Sequence, residues 1–131
     1  MNDTGIEGQV ALVTGATRGI GRAIAQELAR AGATVVGTAT TDAGAAKIAE
    51  AFAAAGNSGS GIRLDVADGA AVDAALADIE SRFGPIAILV NNAGITRDNL
   101  LLRMKDDEWD AVMATNLKAA FRLAKGVLRG M

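Results

Sequence analysis

The sequence predicts an α/β fold, a doubly wound parallel sheet with helices on both faces. Short β-branched runs alternate with longer segments of helical periodicity, and this alternation favours parallel strands joined by right-handed crossovers. Several of the runs are apolar on both faces, as buried parallel strands are. The expected strand order is 3-2-1-4, with a ligand crevice between strands 1 and 4, where the order reverses. The prediction is therefore a Rossmann-like domain.

The first strand–helix–strand unit contains the clearest pattern. The runs QVALVT (residues 9–14) and TVVGT (residues 34–38) predict strands 1 and 2. Residues 19–31 between them predict a helix, which Gly32 is suited to end. This helix is inferred from apolar side chains spaced i, i+4, i+8: Ile20, Ile24 and Leu28.

The remaining elements continue the alternation. Thr41 or Asp42 can cap the second helix and Asp68 the third, because hydroxyl and carboxylate oxygens accept from free helix N–H groups. A glycine- and serine-rich loop, residues 56–61, separates helix 2 from strand 3. The predicted elements are a helix to about Ala55, a strand over 62–66, a helix to Phe83, a strand over 85–91, and a last helix opening at Lys105 or Asp106.

Composition excludes several classes of function. The chain has 131 residues, enough for one domain, and a formal net charge of −2 without a basic run, so nothing indicates nucleic acid or an anionic membrane as partner. It has no cysteine and no histidine, which removes thiolate chemistry and the commonest metal ligand. No apolar run approaches the length of a membrane span, and the N-terminus lacks the pattern of a secretory signal. We expect a cytoplasmic protein.

The segment TGATRGIG, residues 14–21, follows strand 1 and opens helix 1. Gly15 allows a sharp turn, and Gly19 and Gly21 keep side chains away from the helix N-terminus, whose N–H groups and dipole attract an anion. A diphosphate is the expected guest, since no Gly-Lys-Ser/Thr follows to indicate a nucleoside triphosphatase. Glycine turns between strand and helix also occur in α/β proteins without any cofactor.

The end of strand 2 indicates which dinucleotide is preferred. Sites for NAD usually place an acidic residue there, whereas residues 37–41 of this sequence contain no carboxylate and the next one is Asp42. Arg18 in the glycine loop and the hydroxyls of Thr38 and Thr40 suit a 2′-phosphate instead. We therefore predict NADP(H) over NAD(H). The alternative for Arg18 is a solvated loop charge.

Strand 4 leads into Asn91-Asn92-Ala93-Gly94, and this motif together with TGxxxGxG resembles the short-chain dehydrogenase/reductase family. The resemblance covers essentially the whole chain. The segment GITRDNLLLRMKDDEW, residues 94–109, looks like the 3-oxoacyl-[acyl-carrier-protein] reductases of bacterial fatty acid synthesis. It implies reduction of a carrier-bound 3-oxoacyl thioester with NADPH by a homotetramer. In that family the last helix contributes to a four-helix interface, to which four residues could belong, or else to the core: Ala119, Ala120, Phe121 and Leu123.

The resemblance also implies residue roles. The implied coenzyme contacts are Gly15, Ala16, Thr17, Arg18, Gly19, Ile20 and Gly21 at the phosphates, Thr40 near the adenosine ribose, Asp65 and Val66 at the adenine, and Asn92, Ala93 and Gly94 beside the second ribose. Asn116 matches the helix asparagine of the catalytic tetrad. A purely structural role remains an alternative for each of these residues. Asp65 could serve to close a turn, Asn91 and Asn92 to satisfy backbone groups, and Asn116 to form a hydrogen bond within its own helix.

One group that the resemblance requires is missing. The family takes its proton from a tyrosine in Tyr-x-x-x-Lys aided by a serine, and this chain has no tyrosine. We expect residues 1–131 to be the NADP-binding amino-terminal part of a single Rossmann-type domain, truncated before strand 5, inactive alone and with strand 4 as an apolar edge. The alternatives are a reductase of another carbonyl compound such as acetoacetyl-CoA, a non-catalytic nucleotide-binding module, and a half-fold that binds no cofactor.

Overall fold

A computed structural model describes residues 5–57, 59–92, 106–107, 110 and 114–129. Strands and helices alternate along the chain, as the sequence predicts. The elements are β1 Val10–Val13, α1 Gly19–Arg30, β2 Thr34–Ala39, α2 Asp42–Ala54, β3 Ser60–Arg63, α3 Gly69–Phe83, β4 Ile86–Val90, a π-helical turn Ala114–Lys118, and α4 Ala119–Leu128.

The four strands form one parallel sheet in the order β3-β2-β1-β4, which confirms the predicted fold and strand order. The order reverses between β1 and β4, and doubly wound sheets bind ligands at such a reversal, outside the carboxyl ends of the strands. In the described part of the chain β4 pairs with β1 alone and is an edge strand. Its side chains Ile88, Leu89 and Val90 are half-buried.

Two apolar cores lie on opposite faces of the sheet because successive strand residues point to opposite sides. In β1, Val10 and Leu12 join the core beneath α3 and α4, whereas Ala11 and Val13 join the core beneath α1 and α2. The helices contribute Val72, Leu76, Ile79, Leu123 and Val127 to the first core, and Ala25, Ala29, Ala45, Ile48 and Phe52 to the second.

Helix α1 packs on the sheet through a different face from the predicted one. Its buried residues are Gly21, Ala25 and Ala29, one position along from the predicted Ile20, Ile24 and Leu28. Ile24 and Leu28 are half-buried at the margin of the core, while Ile20 is 72% exposed. Small residues on the packing face let α1 lie close to the sheet, and the glycine loop, which leads directly into α1, therefore also lies close to the sheet.

Strand β3 was predicted at residues 62–66 and lies instead at Ser60–Arg63. Gly61 lets the strand run close under α2, since a Cβ there would collide with the carbonyl oxygen of Ala45 and lie 3.0 Å from its carbonyl carbon. Pairing with β2 ends at the Ala39–Arg63 pair. Leu64 and Val66 are still buried, at 4% and 6% exposure, but lie in the loop that leads to α3.

The last helix is divided. Lys105, one of its two predicted starting points, lies outside the described residues, and residues 106, 107 and 110 are helical. Ala119 and Leu123 are core residues, whereas Phe121 is 66% exposed. Of the residues suggested for a subunit interface, only Phe121 is therefore fully available. No helix within the described ranges has the length and apolar character needed to cross a bilayer.

Candidate functional site

The glycine loop between β1 and α1 is fixed by the ends of its two neighbouring strands. The N–H of Gly15 donates to the hydroxyl of Thr38 at 3.1 Å, and the N–H of Ala16 donates to the Thr38 carbonyl at 3.0 Å. On the other side, the N–H of Thr14 donates to the Val90 carbonyl at 3.1 Å. The loop is therefore anchored to β2 and to β4 at the carboxyl edge of the sheet.

Asn92 completes this network from the turn that follows β4. Its Nδ2 donates to the carbonyl of Gly15 at 3.0 Å, and its N–H donates to the hydroxyl of Thr14 at 3.0 Å. The sequence-based alternative, that an asparagine here satisfies backbone groups of neighbouring strands, describes the bond from Nδ2 to the Gly15 carbonyl. Since this bond also sets the loop's position, the structural role and a binding role are compatible.

Glycine is required in the loop for two different reasons. Gly15 and Gly19 have φ of +66° and +62°, a left-handed conformation that glycine adopts at little cost. Gly21 has an ordinary φ, but a Cβ on it would collide with the Gly15 carbonyl oxygen and with Nδ2 of Asn92. The first turn of α1 therefore lies directly against the loop.

The N-terminus of α1 differs from those of the next two helices. The side chains of Thr41 and Asp68 accept from the backbone N–H groups of Gly44 and Ala71, which caps α2 and α3. In α1 the N-cap residue is Arg18, its side chain makes no capping hydrogen bond, and the first turn contains no acidic residue. An uncapped helix N-terminus beside a guanidinium attracts an anion, which the helix end stabilises by about 0.3–1 kcal/mol.

The side chains around this helix end face in different directions. Arg18 and Ile20 are exposed. Thr17 is half-buried and packs against the first turn of α2, since a Cβ at Gly44 would lie 3.1 Å from its Cγ2. This packing brings the glycine loop next to the turn that joins β2 to α2.

The two threonines at the end of β2 have distinct environments. Thr40 is exposed at the edge, where its hydroxyl can reach a ligand. Thr38 is 1% exposed, and its hydroxyl accepts from Gly15 beneath the loop. The expectation that Thr38 offers its hydroxyl to a 2′-phosphate does not agree with this burial, so its contribution is to hold the loop in position.

Beyond β3, Asp65 and Val66 lie at the same edge of the sheet. Val66 is buried at 6% exposure, and the carboxylate of Asp65 is exposed and accepts from the N–H of Ala67 at 3.0 Å. The Asp65 carbonyl also accepts from Asp68 at 3.0 Å. Asp65 therefore closes a turn, as the simpler reading of the sequence expected.

Three further predicted site residues lie after β4. Ala93 and Gly94 are outside the described residues. Asn116 is exposed and lies in the π-helical turn Ala114–Lys118. Turns of this kind are rare and often occur at functional sites, and a widened turn also explains how asparagine is accommodated inside a helical segment. No pattern in the sequence indicated the π-helical geometry.

Sequence reasoning missed two features of the site. Thr14 is 1% exposed and its hydroxyl links β1 to Asn92; a hydroxyl at the end of a buried strand was the available signal. Asp42, the first carboxylate after β2, forms an ion pair with Arg63, with Nη1 and Oδ2 3.7 Å apart. That pair depends on the pairing of β3 with β2, and β3 begins two residues earlier than the sequence predicts.

The arrangement suits a dinucleotide rather than a metal ion. Nowhere in the described ranges do three or more histidine, cysteine, aspartate or glutamate side chains cluster as metal ligands. The site consists of the backbone of the glycine loop and the uncapped N-terminus of α1. Arg18 and Thr40 border it on one side and Asn92 on the other. A diphosphate flanked by two nucleoside halves fits these features.

Comparison with known proteins agrees with this geometry. A model of the family described as short chain dehydrogenase matches residues 9–131. The chain is 60% identical over 126 residues to the 3-oxoacyl-[acyl-carrier-protein] reductase FabG of Pseudomonas aeruginosa, covering 96% of this chain and 51% of that protein. It is 57% identical to the protein of that name from Vibrio harveyi and 55% identical to the one from Escherichia coli, and the match covers 50% of the length of each of those two proteins. The chain thus spans about half the length of the curated relatives it matches.

Proposed function

Because this chain belongs to the short-chain dehydrogenase family, we propose that it forms the coenzyme-binding part of an NADPH-dependent 3-oxoacyl-[acyl-carrier-protein] reductase. A nicotinamide coenzyme supplies the hydride in such a reaction. The observation that carries the proposal is the glycine loop, anchored between β2 and β4 and ending in an uncapped helix N-terminus.

The residues of this chain bind and orient the coenzyme. The free N–H groups in the first turn of α1 would hold the diphosphate, with Gly15, Gly19 and Gly21 leaving room for it. Asp65 and Val66 at the edge beyond β3 would receive the adenine, the aspartate by accepting from its amino group. Asn92, Ala93 and Gly94 would contact the second ribose, as the family resemblance implies. These roles are part of the proposal.

Preference for the phosphorylated coenzyme rests on charge. No carboxylate follows β2 directly, and the exposed Arg18 and Thr40 border the site of the adenosine ribose. A charge-assisted hydrogen bond contributes about 1.5–3 kcal/mol, so Arg18→Ala should weaken NADPH binding by roughly ten- to a hundredfold and NADH binding much less. Arg22→Ala, an exposed arginine one turn further along α1, is the matched control.

The acyl substrate is inferred from what the relatives are named for. Proteins 55–60% identical to this chain are called 3-oxoacyl-[acyl-carrier-protein] reductases. The 131 residues contain no tyrosine, which is the proton donor implied by the resemblance. We propose that Asn116 belongs to the proton relay of the complete gene product, and that the 131 residues alone bind coenzyme without turning substrate over.

The test follows NADPH oxidation with a carrier-bound 3-oxoacyl thioester and with acetoacetyl-CoA. The complete gene product should reduce the carrier-bound substrate at the higher kcat/KM, and the 131-residue chain should reduce neither. A preference for acetoacetyl-CoA would assign another carbonyl substrate. Coenzyme binding by the complete gene product without reduction of any thioester would favour the alternative suggested by the missing tyrosine, a nucleotide-binding module.

We also propose that the protein self-associates through the exposed face of α4 and the turn before it. Leu117, Phe121 and Leu128 are 62%, 66% and 67% exposed and recur at helical spacing. Ala124 lies between them in the same stripe and is half-buried. Burying such a stripe against a second copy would remove apolar surface from water, and a tetramer is the assembly implied by the family resemblance.

A further inference from the structure

We propose that Arg63 is a second cation of the 2′-phosphate subsite and, with Arg18, sets the preference of this protein for the phosphorylated coenzyme. This inference rests on the proposed function and adds to it a residue that the glycine-loop pattern does not contain. It arises from the position of β3, the strand whose register the sequence did not predict.

The register places Arg63 next to the end of β2. Ala39, the last residue of β2, pairs with Arg63, and the N–H of Leu64 donates to the Ala39 carbonyl at 2.8 Å. Thr40, the exposed hydroxyl at the proposed subsite, is the next residue of the chain. The backbone of Arg63 is therefore one residue away from the edge where the adenosine ribose would lie.

The direction of the side chain is also determined. Gly61 of β3 faces α2, where it packs against Ala45, and Arg63 points to the same face because strand residues alternate. Its Nη1 lies 3.7 Å from Oδ2 of Asp42, the first residue of α2. The guanidinium therefore lies over the turn that joins β2 to α2.

That turn is in contact with the glycine loop. Thr17, the neighbour of Arg18, packs against Gly44 in the first turn of α2. The glycine loop, which carries Arg18, and the end of β3, which carries Arg63, therefore both lie beside the β2–α2 turn. A phosphate on the ribose between them would be within the field of both arginines.

The charges favour a phosphate over a free 2′-hydroxyl. Asp42 is the carboxylate closest to the end of β2 along the chain, and an acid near this position favours the unphosphorylated coenzyme. Its ion pair with Arg63 is exposed, at 63% and 87% of the two side chains, so the pair itself contributes little stability. Its effect is on local charge: Arg18, Asp42 and Arg63 sum to one positive charge, and to zero without Arg63.

The experiment measures the dissociation constants of NADPH and NADH for the complete gene product by coenzyme fluorescence, with 2′,5′-ADP and 5′-AMP as competing probes. Arg63→Gln should lower the ratio of the NADH to the NADPH constant by about three- to tenfold, the Coulomb effect of one charge near a phosphate dianion in a solvated setting. Arg63→Lys should retain most of the ratio. The effect should shrink at high ionic strength.

Two further variants separate this role from others. Arg82→Gln removes an arginine of similar exposure that is paired with Asp78 at 3.2 Å near the end of α3, at the opposite edge of the sheet, and should leave the ratio unchanged. Asp42→Asn should raise the ratio, and Arg63→Gln should still lower it in that background. If the effect of Arg63→Gln disappears there, Arg63 only masks Asp42 and the proposal is wrong.

The outcomes also distinguish this inference from the proposed function. Tight NADPH binding with an unchanged ratio in Arg63→Gln would overturn the inference and leave the reductase proposal intact. Failure of the parent protein to bind either coenzyme would overturn the proposed function, and the inference with it. Thermal melting of each variant shows whether a changed ratio comes from a folded protein.

Discussion

Gly21→Ala tests whether the close approach of α1 to the glycine loop determines coenzyme affinity. The new methyl group would collide with the Gly15 carbonyl oxygen and with Nδ2 of Asn92, and would lie 3.0 Å from the Gly15 carbonyl carbon. Both obstacles are fixed, one as backbone and the other as a side chain bonded to that backbone. Overpacking of this kind costs about 1–3 kcal/mol, and loss of the Asn92–Gly15 hydrogen bond adds about 0.5–1.5 kcal/mol.

We expect Gly21→Ala to lower the melting temperature by several degrees and to raise the NADPH dissociation constant by at least about tenfold, since about 1.4 kcal/mol corresponds to that factor. Differential scanning fluorimetry and coenzyme fluorescence measure the two effects. The control is Gly69→Ala in the first turn of α3, where the methyl would meet Nη1 of Arg122 at 2.5 Å, the free end of a flexible side chain. Parent-like melting and binding of Gly21→Ala would refute the reasoning.

Three other substitutions test the same picture. Thr38→Val should cost about 1–3 kcal/mol of unfolding free energy in urea, because the N–H of Gly15 loses its buried acceptor, whereas Thr38→Ser should retain most of the stability; equal loss in both would argue against the hydrogen bond. Asn92→Asp replaces the amide that donates to Gly15 by a carboxylate facing a carbonyl, and it should weaken NADPH binding about tenfold. Asn92→Gln keeps an amide donor and should weaken binding less; equal affinities of the two variants would argue against this hydrogen bond. Phe121→Glu, at a position 66% exposed, should change the free energy of unfolding of the monomer by no more than about 0.5 kcal/mol and should prevent the proposed self-association, measured as mass by light scattering; a mass equal to that of an associated parent protein would argue against this interface.

The order of the strands could be predicted from the sequence because it depends on local patterns and general rules. The alternation of apolar runs with capped helical segments, visible at Thr41 and Asp68, is a local property, and right-handed crossovers then leave few topologies. Both caps are present in the structure. The exact position of a strand is not local, since β3 is placed by its pairing with β2 and by the room that Gly61 leaves under α2.

The burial pattern of α1 shows a related limit. Periodicity identified the helix, but it assigned the packing face to the largest apolar residues. The sheet instead receives Gly21, Ala25 and Ala29, because short side chains allow the helix axis to approach. Which of two neighbouring faces is buried depends on that distance, which the periodicity of the helix alone does not give.

The positions of the site residues follow from the same distinction. TGATRGIG could be read as an anion cradle because its glycines act on their own backbone. What holds the cradle could not be read, because Gly15 is fixed by Thr38 from β2, by Asn92 from the turn after β4, and by contact with Gly21 of α1. Along the chain, Thr38 and Asn92 are 23 and 77 residues from Gly15, and Gly21 is six residues from it.

Glycines alone would leave a flexible loop with a high entropic cost of ordering. Bonds from two strand ends remove that cost before the coenzyme arrives, so the affinity of the site should depend on Thr38 and Asn92 as strongly as on the glycines themselves.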